Sequence, residues 1–499
     1  MTHRTWRRLF PAGMAVAVFM ATAGCQGAEN DPLPSANSDA TGTTVSAPPD
    51  DSLSNGESAS APSSSVGTSP PPRCADDELA AEIVVWHALS NDSETKLIEL
   101  VDRYNGMGAG VTVELVRTGN YFESLARFAS VSDERPDLLM VDARGLRDLY
   151  DSGSVIPPIE CSGASSLADL LPVIASTYSI DGVVQSFPFN VSVPALVFDA
   201  ALFRAAGLDP AQPPRTLADL TVAAQQIVES GVAPHGFVAW DGYGPWLVTH
   251  HNSRIGELSG LPDNGRKVEP VTEVDFATPQ IVESFEWLRA RIEDGSALWI
   301  GGNPSGTDDL LRLVDDVGGA AMTVTTSAVV GDLSRVLAAG AFDDPATGVR
   351  PELAAAPMPG PGTGSLVGGG AFFVVDNGDP SRAGAAAALA SWLTDPAQHA
   401  EFAAFTGFSP IREAELGEPV LQDAWAETSP LRVAFDVLAD LPADAVRAGP
   451  AWGAGYEIDR LLFETLTAVV EGSDPLESLQ LATDQANTLL EFYNATIPD

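Results

Sequence analysis

Asp137-Leu138-Leu139-Met140-Val141 decides how this chain folds. It is a short apolar run without polar alternation, the pattern of a strand buried on both faces of a sheet. Upstream, Glu82-Ile83-Val84-Val85-Trp86 is another short apolar strand, and Val111 to Val116 alternates as a half-buried strand does. Helical periods fill the gaps. Asn91 or Asp92 can cap a helix to about Tyr104, with Leu97, Leu100 and Val101 as its apolar stripe. Tyr121 to Val131 turns Leu125 and Phe128 inward, and Gly145 to Tyr150 is helical again. The order β-α-β-α-β predicts an α/β fold on a parallel sheet with right-handed crossovers.

Farther along, helical periods dominate Pro214 to Ser230 and Pro279 to Asp294. Ala320 to Val324 and Ala371 to Val375 read as strands. Ser381 to Leu393, Pro396 to Phe405, Glu457 to Glu471 and Leu476 to Ala495 read as helices. Pro188, Pro194, Pro359 and Gly368-Gly369-Gly370 punctuate extended segments suited to crossing between domains. Cys74 to Asp499 is long enough for two substantial domains, and no internal repeat is present.

The first residues are of a different kind. Arg4, Arg7 and Arg8 precede an apolar run from Leu9 to Ala21, interrupted by Pro11 and Gly13. The run has the length of a secretory signal and is too short to span a bilayer. Thr22-Ala23-Gly24-Cys25 resembles a bacterial lipobox with Thr22 in the usual Leu place, so residues 1–24 are expected to be a leader and Cys25 a lipidation site. An ordinary signal peptide with an incidental cysteine is the competing reading. From Gln26 to Arg73 the chain is Ser, Pro, Thr, Gly, Ala and Asp, which cannot bury enough surface to order itself. Residues 25–73 are expected to be a flexible tether, with a reach of about 40 Å.

The formal net charge is −42, which argues against nucleic acid and anionic lipid as partners. Beyond Cys25 the cysteines are Cys74 and Cys161, and outside the cytoplasm two cysteines usually pair, with two free buried thiols as the alternative. No metalloprotease helix, Cys-x-x-Cys pair, nucleophile elbow or P-loop occurs, so no catalytic residue, metal or cofactor is expected. Gly106-Met107-Gly108-Ala109-Gly110 follows a helix rather than a strand and reads as a turn. His250-His251 are adjacent and face apart, which disfavours a shared metal.

A series of blocks resembles, in order, the carbohydrate-type (family 1) solute-binding proteins of ABC importers, most of all their glycerol-3-phosphate-binding branch. The blocks are Val85 to Ser90 with Leu97 to Asn105, Thr118 to Tyr121, Pro136 to Leu138, Phe187 to Pro194 with Phe198-Asp199, Phe203 to Leu217, Ala321 to Thr323, Gly368 to Ala371 and Thr406 to Arg412. The resemblance implies a two-lobed periplasmic-binding-protein-like α/β fold of type II, with the ligand held in a cleft between lobes joined by three crossing hinge segments. Crossings are expected near Asn190 to Val197, Val317 to Ala320 and Gly369 to Phe373. The division that follows is 74–192 with 318–370 as the N-terminal lobe, and 193–317 with 371–499 as a helix-rich C-terminal lobe.

The resemblance also implies ligand-binding positions. Tyr121 matches a ligand-contacting tyrosine, although an aromatic packing on the core would read the same way. Asp142 ends a buried parallel strand, where α/β sheets gather ligands, and falls within one residue of an acidic hydroxyl-binding position. Ser192 matches a cleft hydroxyl. Trp246 matches a stacking aromatic, with Trp240 and Tyr243 as competitors. Thr326 or Ser327 would donate to the ligand, Gly369 would offer a backbone N–H, and Phe408 stands where the family has Tyr. The branch's phosphate-binding Arg falls on Asp459, next to Arg460, so Arg412 or Arg460 would have to substitute. The chain is expected to be a monomeric, lipid-anchored protein on the outer face of the cell membrane. It would capture a small hydroxylated ligand (a sugar, a polyol, glycerol-3-phosphate or a glycerophosphodiester) and pass it to an ABC permease. A secreted α/β hydrolase and a signalling or adhesion lipoprotein on the same fold are the alternatives.

Overall fold

The apolar runs pair into one sheet. β1 (Glu82–His87), β2 (Thr112–Arg117) and β3 (Leu138–Asp142) lie parallel, with β1 central, so that Val85 faces Leu115 on one side and Leu138 on the other. All five residues of β3 are buried, as a strand covered on both faces requires. Helices Asn91–Gly106 and Tyr121–Ser130 form the crossovers. The second starts in a capping box: Asn120 Oδ1 accepts from the Glu123 N–H at 2.9 Å, and Glu123 Oε2 accepts from the Asn120 N–H at 2.8 Å. That cap fixes Tyr121 as the first helical residue.

The structure is a computed structural model that describes residues 73–497 apart from 76–78, 109, 132–133, 251–261, 304–305, 315–318, 344–349, 361–365, 440 and 442–447. The expected leader, Cys25 and the tether up to Pro72 lie outside the described residues, as does His251. Among the described residues, no helix is long and apolar enough to cross a membrane.

After β4 (Val155–Ile156) and a small hairpin of β5 (Ser179–Ile180) and β6 (Val183–Val184), the chain leaves the first sheet abruptly. β7 (Phe187–Ser192) belongs to the first sheet and β8 (Pro194–Asp199) to a second, with only Val193 between them. β9 (His235–Ala239), β10 (Ala297–Trp299), β11 (Ala320–Thr326) and β12 (Leu353–Pro357) complete the second sheet in the order β10-β9-β11-β8-β12. β13 (Gly368–Val375) then returns to the first sheet and pairs antiparallel with β3, β4 and β7. The two-lobed α/β architecture follows, each lobe with its own apolar core.

The pairing corrects the expected lobe division. The segment 318–370 is expected in the N-terminal lobe, yet β11 and β12 hydrogen-bond with β8 and β9 in the second sheet. The segment from 371 is expected in the C-terminal lobe, yet β13 and helices Pro380–Leu393 and Pro396–Thr406 pack on the first sheet. Helices Gly455–Val470 and Pro475–Asn494 do join the second lobe, through Ile458, Leu462, Leu466 and Leu490. The crossing at Asn190 to Val197 occurs where expected. The other two run between β12 and β13, just ahead of Gly369, and through Ala448 to Trp452, where Ala451 sits in the first core and Trp452 in the second. Of the crossing expected near Val317 to Ala320, residues 317 and 318 lie outside the described residues, and Ala320 opens β11 in the interior of the second sheet.

Cys74 and Cys161 are bonded, with Cα atoms 5.1 Å apart across 87 residues of chain. Arg73 reaches Asp376 and the Val155 carbonyl beside the bridge. Arg147 is buried and donates to Asp151 and to the carbonyls of Lys267 and Val268. Its neighbour Asp148 accepts from the Ala454 backbone, while its Oδ2 has no partner among the described residues. Burial, reinforced by Glu457 and Asp151, pushes the Asp148 carboxyl up to about 7.

Two stability predictions follow from these contacts. Opening the 87-residue loop by Cys74→Ala should cost about 4 kcal/mol, read by denaturant unfolding against the disulfide-bonded wild type. Asp148 binds its proton more tightly folded than unfolded, so its contribution to stability falls as pH rises from about 4 to 7. Asp148→Asn should therefore stabilise the protein by ~1–4 kcal/mol at pH 8 and change little at pH 4.

Candidate functional site

The carboxyl ends of the first sheet face the second lobe across a cavity of about 470 Å³. Tyr121, Asp142, Arg144, Asn190, Ser192, Gly369 and Phe408 line it from the first lobe. Trp240, Trp246, Thr249, Thr326, Asp459 and Phe463 line it from the second, with Trp452 at the third crossing. Apolar and aromatic walls with a few polar groups make a site for a small ligand.

Backbone constraints set the first-lobe wall. β13 passes beside β7 with a register shift between Gly370 and Ala371. Gly369 takes φ +84°, and a Cβ there would lie 1.8 Å from the Asn190 carbonyl oxygen. Its own carbonyl accepts from the Tyr178 hydroxyl at 3.0 Å. A Cβ on Gly370 would sit 2.8 Å from the Tyr121 ring, so two glycines admit both the crossing and the aromatic. The Asn190 side chain then joins the parts: its Nδ2 donates to the Tyr121 hydroxyl, and its Oδ1 accepts from the Gly370 N–H at 3.1 Å. Burial raises the Tyr121 phenol well above its ordinary range, so Tyr121 presents a neutral hydroxyl.

Charge enters where β3 ends. Asp142 caps a short turn, with Oδ1 accepting from the Arg144 N–H at 3.0 Å and from the Tyr456 hydroxyl at 2.9 Å. Its Oδ2 accepts from Arg144 Nε at 2.9 Å and from Nη2 at 2.5 Å. Asp142 therefore lines the cavity with both oxygens already engaged. Arg144 reaches the other lobe, with Nη1 3.3 Å from Asp459 Oδ2, and its guanidinium lies 4.6 Å from the centre of the Tyr456 ring. Burial works against the Arg144 charge, but Asp142, Tyr456 and Asp459 together hold its pKa well above the ordinary value. Burial drives the Asp459 carboxyl up to about 6; Arg144 opposes the shift and Asp142 adds to it.

The aromatic wall resolves the competition around Trp246. Trp240 and Trp246 both line the cavity, edge to face with centroids 5.2 Å apart, and Trp240 Nε1 donates to the Val324 carbonyl. Tyr243 is buried in the second core; its hydroxyl donates to the Val238 carbonyl and accepts from the Val324 N–H. Phe408 lines the cavity and stacks on Phe402 at 5.7 Å, so the residue in the family's tyrosine place keeps the flat face without the hydroxyl.

Two expected positions lie elsewhere. Thr326 faces the cavity, but Ser327 is buried and laced to the first crossing: its Oγ accepts from the Val193 N–H at 3.0 Å, and its N–H donates to the Val193 carbonyl at 2.8 Å. Arg412 is buried in the first lobe, donating to Asp169 and to the carbonyls of Ser166, Ala168 and Thr394. Arg460 pairs with Glu464 on the exposed side of its helix. Arg144, Asn190, Trp452 and Phe463 escaped the sequence reading. Only Arg144 and Asn190 left a usable signal there, since both sit at the carboxyl end of an apolar strand.

Comparison with known proteins fits this architecture. The model of the bacterial extracellular solute-binding protein family matches residues 99–428. The chain is 24% identical over 425 residues to the sn-glycerol-3-phosphate-binding periplasmic protein of Pectobacterium atrosepticum, covering 83% of this chain and 93% of that one. The Escherichia coli K12 protein of the same name is 23% identical over 428 residues, covering 83% and 94%. Among solved structures, UgpB from Mycobacterium tuberculosis in complex with glycerophosphocholine superposes with a TM-score of 0.66 at 19% identity, over 83% of this chain and 99% of that one. A cyclic α-maltosyl-1,6-maltose binding protein from Arthrobacter globiformis gives a TM-score of 0.65 at 21% identity, over 82% and 99%.

The geometry around Gly369 is open to a direct check. Gly369→Ala would force a methyl into the Asn190 carbonyl at a left-handed φ. It should cost at least about 2 kcal/mol in chemical denaturation, well beyond an exposed Gly→Ala change such as Gly417→Ala.

Proposed function

Because this chain belongs to the bacterial extracellular solute-binding protein family, whose members bind ligands rather than transform them, we propose that it captures a small hydroxylated solute in the inter-lobe cavity and delivers it to an ABC permease. The observation that carries this reading is the cavity itself, walled by both lobes and hinged at three crossings. Lobe closure around the ligand is the whole mechanism, and the protein performs no chemistry. Trp240, Trp246 and Trp452 supply flat faces for a sugar or polyol. The Tyr121 hydroxyl, Asn190, Ser192, Thr249 and Thr326 supply hydrogen bonds to its hydroxyls.

The relatives' names span this chemistry, from sn-glycerol-3-phosphate and glycerophosphocholine to cyclic maltosyl-maltose. The protein works outside the cytoplasm as a monomer. Lipidated Cys25 holds it at the outer face of the membrane, on the tether to Arg73. That placement keeps the loaded cleft within diffusional reach of the permease.

A thermal-shift panel of maltodextrins, ribitol, sn-glycerol-3-phosphate and glycerophosphocholine tests the reading. A true ligand at a hundredfold excess over its Kd should stabilise the protein by about 2.7 kcal/mol and compact it in solution scattering. Trp246→Ala should weaken that ligand at least tenfold while unfolding remains cooperative. Silence across the panel would refute solute capture. Separately, Cys25→Ala should abolish incorporation of labelled fatty acid and release the protein from membranes.

A further inference from the structure

The cavity carries a second message, in the balance of its charges. Among the described residues its charged lining is Asp142, Arg144 and Asp459. Arg144 is the cation there, and its side chain is 41% exposed. A guanidinium in a ligand cleft would ordinarily seize a phosphate or carboxylate. Here it is already occupied. Asp142 takes Nε and Nη2, and Asp459, itself only 14% exposed, lies 3.3 Å from Nη1. Asp142 belongs to the same turn as Arg144 and is further fixed by Tyr456, so it cannot step aside. Asp459 comes from the opposite lobe on the helix Gly455–Val470, and its 3.3 Å contact is the loosest of the set.

We propose that Asp459 is the specificity determinant of the cleft: by neutralising Arg144 from across the lobes, it excludes anionic ligands and reserves the site for uncharged or cationic hydroxylated ones. With both carboxylates ionised, the cluster carries one net negative charge, so Arg144 has no uncompensated positive charge to offer an entering anion. The charged groups facing Asp459 are Arg144 and Asp142, both from the first lobe. Arg460 and Arg412 offer no replacement cation, since one pairs with Glu464 in solvent and the other is tied into the first lobe. The burial that lifts Asp459 toward neutrality near pH 6 adds a consequence: acid should relax the exclusion.

This inference rests on the cavity being the ligand site, and its test is separable from that reading. Sulfate keeps its charge from pH 5 to 8, so it is the probe, followed by isothermal titration calorimetry. Wild type should bind sulfate at least tenfold more weakly at pH 7.5 than at pH 5. Asp459→Asn should bind it at least tenfold more tightly than wild type at pH 7.5, with little pH dependence. Arg144→Gln placed on top of Asp459→Asn should remove that binding, and Asp459→Glu should restore exclusion. Equal sulfate affinity in wild type and Asp459→Asn would overturn the proposal, as would binding that survives Arg144→Gln. If Asp459→Asn folds poorly, Asp459→Ser should show the same tighter sulfate binding at pH 7.5, and its failure to do so would overturn the proposal. A ligand found by the thermal-shift panel together with a flat sulfate response would sink the role of Asp459 alone.

Discussion

The returning strand Gly368–Val375 holds this molecule in register. It pairs antiparallel with β3 on one side and β7 on the other, so the first sheet is closed by a segment that comes back from the second lobe. Gly370 faces Asp142 in that pairing, and Gly369 lies against Val191 beside the first crossing. The strand therefore fixes at once where the acidic turn ends, where the chain leaves the lobe and how near Tyr121 can approach. Bulk at either glycine would push apart the two crossings on which lobe movement depends. The absence of side chains at Gly369 and Gly370 is thus a positive requirement of the cleft.

Much of the fold was legible because burial imposes period. β3 is buried at all five positions and reads as an unbroken apolar run, while the crossover helices show their stripes. Lobe membership was less legible for a physical reason. β11 and β13 are both short, apolar and buried, and nothing local says which sheet will receive them. Only long-range pairing distinguishes them, and the expected division placed each in the wrong lobe. The cleft shows the same limit. Thr326 and Ser327 are adjacent hydroxyls, yet β11 ends between them, so one lines the cavity while the other, in the turn that follows, is held by Val193. Arg412 is expected as a substitute phosphate-binding cation, and only the tertiary structure supplies the three carbonyls that consume its donors.

The acidic composition and the acidic cleft are separate facts. A net charge of −42 describes the whole chain. Most carboxylates sit in solvent, where salt screens them within about 10 Å. Asp142 and Asp459 act at contact distance in a partly dry space, where the same charge weighs far more. An electrostatic reading of the ligand therefore depends on these two residues and Arg144.

The start of the folded unit has a mechanical side. Arg73 grips Asp376 and Val155, and Cys74 is welded to Cys161, all on the first lobe. Any pull arriving along the upstream chain is carried by covalent bonds into that lobe and stops there. The second lobe, reached through the crossings, bears none of the load. One half of the molecule thereby takes the load, and the other is reached only through the crossings.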